Sequence, residues 1–171
     1  MNQIDSRSAE TETISDELWR LGLEVQRDGD IERAADLFRQ SIEVHESPEA
    51  WCFLGWCHSL RGELGLAISH CRRAMMLDPE FGNAYNDMGA YLVELGRREE
   101  AARWFSRAKD ARRYDTPQYP FLNLARLYIV DGRLQEALFE LQVARALAPG
   151  DDRVEDLVRY VGLLMNGPFE P

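Results

Sequence analysis

Three cysteines and two histidines within twenty residues, all of types that bind zinc, are the most reactive group in this sequence: Cys52, Cys57, His58, His70 and Cys71. Structural zinc sites usually carry two ligands two to four residues apart, and carry that pair twice. Cys52 and Cys57 are instead five residues apart in a predicted helix, which turns them to different sides. Cys71 occupies a predicted core position. The spacing therefore predicts no metal site.

Other patterns that could support catalysis are equally weak. The sequence has no glycine-rich phosphate loop, no Ser-His-Asp order and no metalloprotease motif. The adjacent acids Glu99 and Glu100 fit the start of a helix, where negative charge is favourable. We therefore predict a non-catalytic protein without a cofactor, and a metal-binding or enzymatic protein is the less favoured alternative.

A repeated spacing dominates the rest of the chain. Four glycines lie 33, 34 and 36 residues apart, and an alanine follows each of them five residues later: Gly29, Gly62, Gly96 and Gly132, with Ala34, Ala67, Ala101 and Ala137. Seven residues before each glycine stands another small residue: Gly22, Gly55, Gly89 or Ala125. The spacing predicts four copies of one structural unit.

The predicted unit is a helical hairpin. In the second copy, apolar residues recur at spacings of three and four over residues 49–60 and again over 64–77. Gly62 lies between these helices, where a left-handed backbone costs glycine little. Gly55 lies inside the front helix, and its lack of a side chain predicts close packing against the back helix at Ala67.

The second copy reads Trp51, Leu54, Gly55, His58, Ala67, Cys71, Ala74 and Pro79. This resembles the tetratricopeptide repeat, with its pattern W-x2-L-G-x2-Y, A-x3-F and P. The resemblance implies an all-α fold, a right-handed α-solenoid of stacked antiparallel hairpins. We expect repeats at 15–47, 48–81, 82–115 and 118–151, a capping helix at 152–165, a disordered segment at 1–14 and a flexible tail at 166–171.

Composition and charge indicate which kinds of partner and which cellular compartment to expect for this chain. The net charge of −10 argues against nucleic-acid binding. The sequence shows no secretory signal and no apolar run long enough to span a membrane, so we expect a cytoplasmic protein without a membrane partner. Nineteen arginines against the single Lys109 suggest a GC-rich bacterial genome.

In the family that the chain resembles, front helices line a concave groove that binds an extended peptide or a helix. The resemblance places a mostly apolar set of residues there, with Trp56 as the expected anchor: Trp19, Leu23, Cys52, Phe53, Trp56, Asn86, Val93, Leu122, Arg126 and Ile129. We therefore expect a protein–protein interaction module, an adaptor or scaffold. The groove could instead be filled by the N-terminal segment or by a second copy of the chain.

A second candidate surface lies on the third back helix, which is rich in basic residues: Arg97, Arg98, Arg103, Trp104 and Arg107. Trp104 precedes the core residue Phe105, so we expect it to face outward, where Arg107 could stack on it. The alternative is an ordinary solvated face.

Finer resemblances concern the chain's possible role. The run Thr116 to Phe121 is similar to a P-x-x-P-F motif in cytosolic chaperones of type III secretion translocators. Residues 85–89, with the insertion at 113–117, are similar to type IV pilus pilotins. Both favour a client-specific chaperone of a secretion or pilus system as an alternative. Heat-shock cochaperones of the family bind a carboxylate with basic residues, and Asp87 at one such position would repel it.

Overall fold

The computed structural model describes residues 3–167 of the chain. Nine helices lie within this range: α1 (Gln3–Arg27), α2 (Ile31–Val44), α3 (Pro48–Leu60), α4 (Leu64–Leu77), α5 (Gly82–Glu94), α6 (Arg98–Lys109), α7 (Tyr119–Val130), α8 (Leu134–Leu147) and α9 (Asp152–Asn166). None of the helices in this range is both long and apolar enough to cross a membrane.

The helices pack in consecutive antiparallel pairs, α1 with α2, α3 with α4, α5 with α6 and α7 with α8. Each pair packs against the next, so the all-α, right-handed solenoid predicted from the repeat is confirmed. The glycine between the helices of each pair has a positive φ, for example +74° at Gly62 and +73° at Gly132. The turn glycines therefore have the left-handed backbone expected at a helix C-terminus.

Close contact between the two helices of a hairpin explains the glycines inside the front helices. A Cβ added to Gly89 would lie 2.5 Å from the ring of Phe105, and one added to Gly22 would lie 2.6 Å from the ring of Phe38. At Gly55 the nearest atoms are the Ala67 carbonyl oxygen and a side-chain carbon of His70, both at 3.3 Å. In the first and third hairpins the glycine thus makes room for an aromatic ring.

The expectation of disorder at residues 1–14 is wrong for the part that the structure describes, because α1 begins at Gln3. Its buried Ser15 fixes the helix to the end of α2: Ser15 Oγ donates to the His45 carbonyl oxygen at 2.8 Å, and Ser41 Oγ donates to the Ser15 carbonyl oxygen at 2.9 Å. Helix growth from an anchored turn costs less than nucleation. Residues 1 and 2 lie outside the described range.

At the other end of the solenoid, α9 covers the last hairpin. Val154 and Val161 are fully buried against α7 and α8, as expected of a capping helix. Gly167, with φ of +72°, follows α9 directly. The tail predicted to be flexible falls mainly at 168–171, outside the described residues.

The segment between α6 and α7 packs back over the start of α5. The Arg113 carbonyl oxygen accepts a hydrogen bond from the Gly82 amide at 2.9 Å, and the Arg113 guanidinium binds Asp78 at 2.6 Å. The Tyr114 ring lies where a Cβ on Gly82 would be, at 2.6 Å. The insertion therefore forms a brace, residues 113–114, at the N-terminal end of the front helices.

Candidate functional site

The front helices α3, α5 and α7 lie side by side, and one column of residues stays open along them. Leu23 on α1, Trp56 and Ala90 are half-buried, and Arg126 is exposed. Each of the four stands five places after the first core residue of its front helix. The column includes three of the predicted groove residues, Leu23, Trp56 and Arg126.

A neighbouring predicted column is instead covered by packing. Cys52 is 4% exposed and packs against Phe81 and Ala84, while Leu122 is 1% exposed and packs against α9. Both were predicted to line the groove, and the structure contradicts this. The reason is geometric: the following element, α5 for Cys52 and α9 for Leu122, packs over these residues, a contact that the repeat pattern alone does not reveal.

Aromatic residues where the first two hairpins pack together are half-buried. The ring centroids of Trp19 and Phe53 are 6.0 Å apart, and Phe53 stacks on the core ring of Phe38 at 5.5 Å. Trp56 also packs partly against this core cluster. These predicted groove residues therefore pack against one apolar core cluster, and each keeps part of its side chain exposed.

The groove has an apolar edge at the C-terminal ends of the front helices. Val93 is exposed and Ile129 is half-buried, and both stay predicted groove residues. Leu60 and Val130 lie beside them and are also exposed. An exposed apolar strip rimmed by charge is typical of an interaction site.

The middle of the groove is polar. Asn123 Nδ2 donates to Asn86 Oδ1 at 2.9 Å, and Arg126 Nη1 donates to Asn123 Oδ1 at 3.2 Å. Asn83 Oδ1 is buried and makes no hydrogen bond, whereas the Tyr91 hydroxyl is buried beside Ser59. Asn86 was predicted, whereas Asn123, Asn83 and Tyr91 were missed; their polar character on a front helix was the available signal.

Asp87 is the most unusual group here. Burial raises the pKa of its carboxyl from the ordinary 3.8 to about 7, and a side-chain hydrogen bond with Asn86 opposes this only in part. Cys52, Tyr91 and Tyr114 are close enough for the Asp87 charge to raise the pKa of each. Among residues 9–167, whose side chains the structure describes, Asp87 forms no ion pair.

The cysteine and histidine cluster lies in the core of the second hairpin. Burial raises the pKa of the Cys57 thiol to about 11 and lowers the pKa of His70 to about 4. The His70 ring lies between those of Trp51 and His58, tilted against both, with centroids 5.1 and 5.0 Å away, and His58 Nδ1 lies 2.5 Å from a Glu63 oxygen. No group of three potential metal ligands occurs within the described part of the chain.

The second candidate surface is a line of charged side chains on α6. Arg97 binds both oxygens of Glu100 at 2.7 Å, and Arg107 lies 5.1 Å from the centre of the Trp104 ring. Trp104 is half-buried against the core, so the expectation that it faces outward is wrong in part. With Arg98 and Arg103, these residues line two cavities of about 760 and 310 Å³, in which arginines outnumber acids by four to three and by two to one.

Comparison with known proteins identifies the repeat. A family model described as tetratricopeptide repeat matches residues 20–80. Anaphase-promoting complex subunit 3 of Schizosaccharomyces pombe is 30% identical over 161 residues, which cover 93% of this chain and 22% of that relative. The chain therefore spans less than a quarter of the relative's length.

Solved structures agree. The pilF protein of Pseudomonas aeruginosa superposes with a TM-score of 0.80 at 22% identity, covering 91% of this chain and 70% of that one. PilW, a widely conserved type IV pilus biogenesis factor, gives 0.78 at 20% identity, covering 96% and 71%. At these identities the likeness shows the fold. With the four glycine-turned hairpins and the matching family model, it identifies the chain as a tetratricopeptide repeat protein.

Proposed function

We propose that the chain is a non-catalytic interaction module that binds a protein segment, extended or helical, in its concave groove. Tetratricopeptide repeats generally serve as protein–protein interaction modules. The observation that carries the proposal for this chain is the open column of Leu23, Trp56, Ala90 and Arg126, continuous with the exposed apolar edge at Val93. A strip of this kind gains free energy when a partner covers it.

Trp56 is the proposed anchor of the bound segment. One part of the side chain packs against the core cluster shared by the first two hairpins, which fixes its position before a ligand arrives. A preorganised tryptophan loses little conformational entropy on binding, and such residues often contribute 2 kcal/mol or more. Trp19 and Leu23 support it from α1, and Arg126 on α7 is placed to meet an acid or a carbonyl oxygen of the ligand.

A phage-displayed library of random dodecapeptides, selected on the whole chain, tests the proposal. Binders are then titrated against the wild type, Trp56→Ala and Phe139→Ala. Phe139 is the matched control, because it is a large aromatic residue, 63% exposed, on the back helix α8. We expect Trp56→Ala to weaken binding about thirtyfold and Phe139→Ala to leave it unchanged.

Equal affinities for all three proteins, with the variants folded by circular dichroism, would remove the groove from the mechanism. A concentration-dependent dimer that Trp56→Ala dissociates would show instead that a second copy fills the groove.

A client-specific chaperone of a secretion or pilus system is the second candidate. The likeness to PilW favours it, as does the brace at Arg113 and Tyr114, which resembles the insertion in pilotin repeats. A chaperone keeps its client soluble, so light scattering of a translocator or pilin subunit refolded with and without the chain separates the two roles. An adaptor leaves the scattering unchanged.

A further inference from the structure

We infer that copies of this chain associate through a heterologous contact, in which the N-terminal part of α1 of one copy lies on the basic side of α6 of another. Because α6 is a back helix, this surface is separate from the concave groove. The partner is therefore a second copy of the chain, and the groove of each copy stays free to bind a protein segment.

The N-terminal part of α1 extends past its own hairpin. Ser15 contacts His45, which directly follows α2, so residues 3–14 of the antiparallel α1 reach beyond the end of α2. This extension is about 18 Å long at 1.5 Å per residue. Within the described part of the chain it has no second helix of the first hairpin beside it, and one side of it is free for another partner.

Acidic and apolar residues alternate along one exposed side of α1. Four exposed residues at spacings of four, three and four form this acidic stripe: Glu10, Ile14, Glu17 and Leu21. Among residues 9–167, neither Glu10 nor Glu17 forms an ion pair. The stripe thus offers two unpaired carboxylates with an apolar side chain between them.

The exposed side of α6 has the opposite charge. Arg103 and Arg107 are exposed, lie one turn apart and form no ion pair among residues 9–167. Glu100, which lines the same depression of about 310 Å³, is already bound through both oxygens by Arg97. The half-buried Trp104 ring lies 5.1 Å from the Arg107 guanidinium and adds an apolar edge. We call Arg103, Trp104 and Arg107 the basic surface.

The two surfaces match in order and in sign. The acidic stripe reads acid, apolar, acid, and the basic surface reads base, aromatic, base. Glu10 and Glu17 lie about 10 Å apart along α1, and two long arginine side chains one turn apart can each reach one of them while Ile14 covers Trp104. Charge along the chain agrees, because residues 1–47 carry twelve acids and five arginines, whereas residues 97–113 carry seven bases and three acids.

The contact forms between copies and not within one chain. Helices α1 and α6 belong to the first and third hairpins, and the second hairpin packs between them through α2 with α3 and α4 with α5. A single helix on one surface buries less than the ~1,200 Å² of a stable interface, so the association is weak. Salt weakens it, because the attraction acts between exposed charges at short range.

Sedimentation velocity of the whole chain, at roughly 10–500 µM protein, measures this association. We expect the mean mass to rise with concentration at about 0.1 M salt and to fall towards that of one chain at about 0.5 M. Reversing two charges on either side, Arg103→Glu with Arg107→Glu or Glu10→Arg with Glu17→Arg, should weaken the association about tenfold or more. Mixing these two variants should restore it, because each then offers the charge that the other needs.

Two controls separate this contact from other causes. Arg72→Glu with Arg145→Glu makes the same change in net charge on exposed positions of α4 and α8, and Trp56→Ala alters the groove. Neither should weaken the association, and circular dichroism establishes that each variant is folded.

A wild type that stays a single chain at every concentration would overturn the inference, as would a mixture of the reversed variants that does not associate. An equal loss in the Arg72 and Arg145 control would assign the effect to net charge, and a loss in Trp56→Ala alone would assign it to a second copy in the groove; both would overturn the contact on α6. Each of these results leaves the test of peptide binding in the groove unaffected.

Discussion

Replacing Asp87 by asparagine should stabilise the protein above neutral pH. The folded chain holds a proton on this carboxyl up to a pKa of about 7, whereas the ordinary value is 3.8. Between these two values the folded state binds more protons than the unfolded state, so the free energy of unfolding falls as the pH rises. Asparagine has nearly the same shape and does not titrate, and it therefore removes this loss.

The size of the effect follows from the same two values. Each unit of difference in pKa corresponds to about 1.36 kcal/mol. Between pH 5 and pH 8 the folded state loses this proton while the unfolded state has already lost it, which corresponds to about two of those pKa units. The side chain keeps some exposure to solvent, which reduces the effect. We therefore expect the stability of Asp87→Asn relative to the wild type to grow by about 2 kcal/mol over this interval, or roughly 4–8 °C in melting temperature.

Urea unfolding of both proteins at pH 5 and pH 8 measures this difference. Asp28→Asn, an exposed acid in the turn after α1, is the control and should change the stability little at either pH. A variant that gains nothing between pH 5 and pH 8, or that is less stable than the wild type at pH 8, would show that the Asp87 carboxyl is solvated or paired.

Three further predictions concern stability. Gly89→Ala should destabilise the protein by about 1–3 kcal/mol in thermal melts, because its Cβ would lie 2.5 Å from an aromatic ring. Gly65→Ala, where the structure leaves open space, should stabilise it by up to about 1 kcal/mol in the same melts. Glu140→Gln should cost about 2 kcal/mol in urea unfolding, because Lys109 Nζ binds both Glu140 oxygens at 2.9 Å in a largely buried pair; replacing both residues by methionine should recover most of the loss. Burial holds the pKa of His70 near 4, below its ordinary 6.5, so the free energy of unfolding falls as the pH falls from 6.5 towards 4. His70→Leu should flatten this dependence, and an unchanged slope of stability against pH would contradict the prediction.

The fold could be predicted because local requirements repeat along the chain. A positive φ favours glycine at Gly62 and at the matching turn of every hairpin, and a crowded position favours a small residue at Gly89 and its equivalents, so a fixed spacing reveals both. The N-terminal extension of α1 could not be predicted in this way. It depends on Ser15 meeting Ser41, a contact between two small polar residues that leaves no periodic signal.

The groove was predicted only in part for a similar reason. Spacing along one helix indicates which side faces away from its own hairpin, and Trp56 and Arg126 on that side are half-buried and exposed. Spacing does not indicate how the following element, α5 for Cys52 and α9 for Leu122, covers a residue. The burial that raises the pKa of Asp87 is likewise not visible in the spacing along α5.

The central claim is that a protein segment binds along the concave face. Nuclear magnetic resonance measures this most directly, as backbone amide shift changes when a selected dodecapeptide is added to the labelled chain. We predict that the largest changes fall on the front helices around Trp56, Asp87, Ala90 and Arg126. Changes concentrated on the back helices α4, α6 and α8, with the front helices unaffected, would contradict the claim.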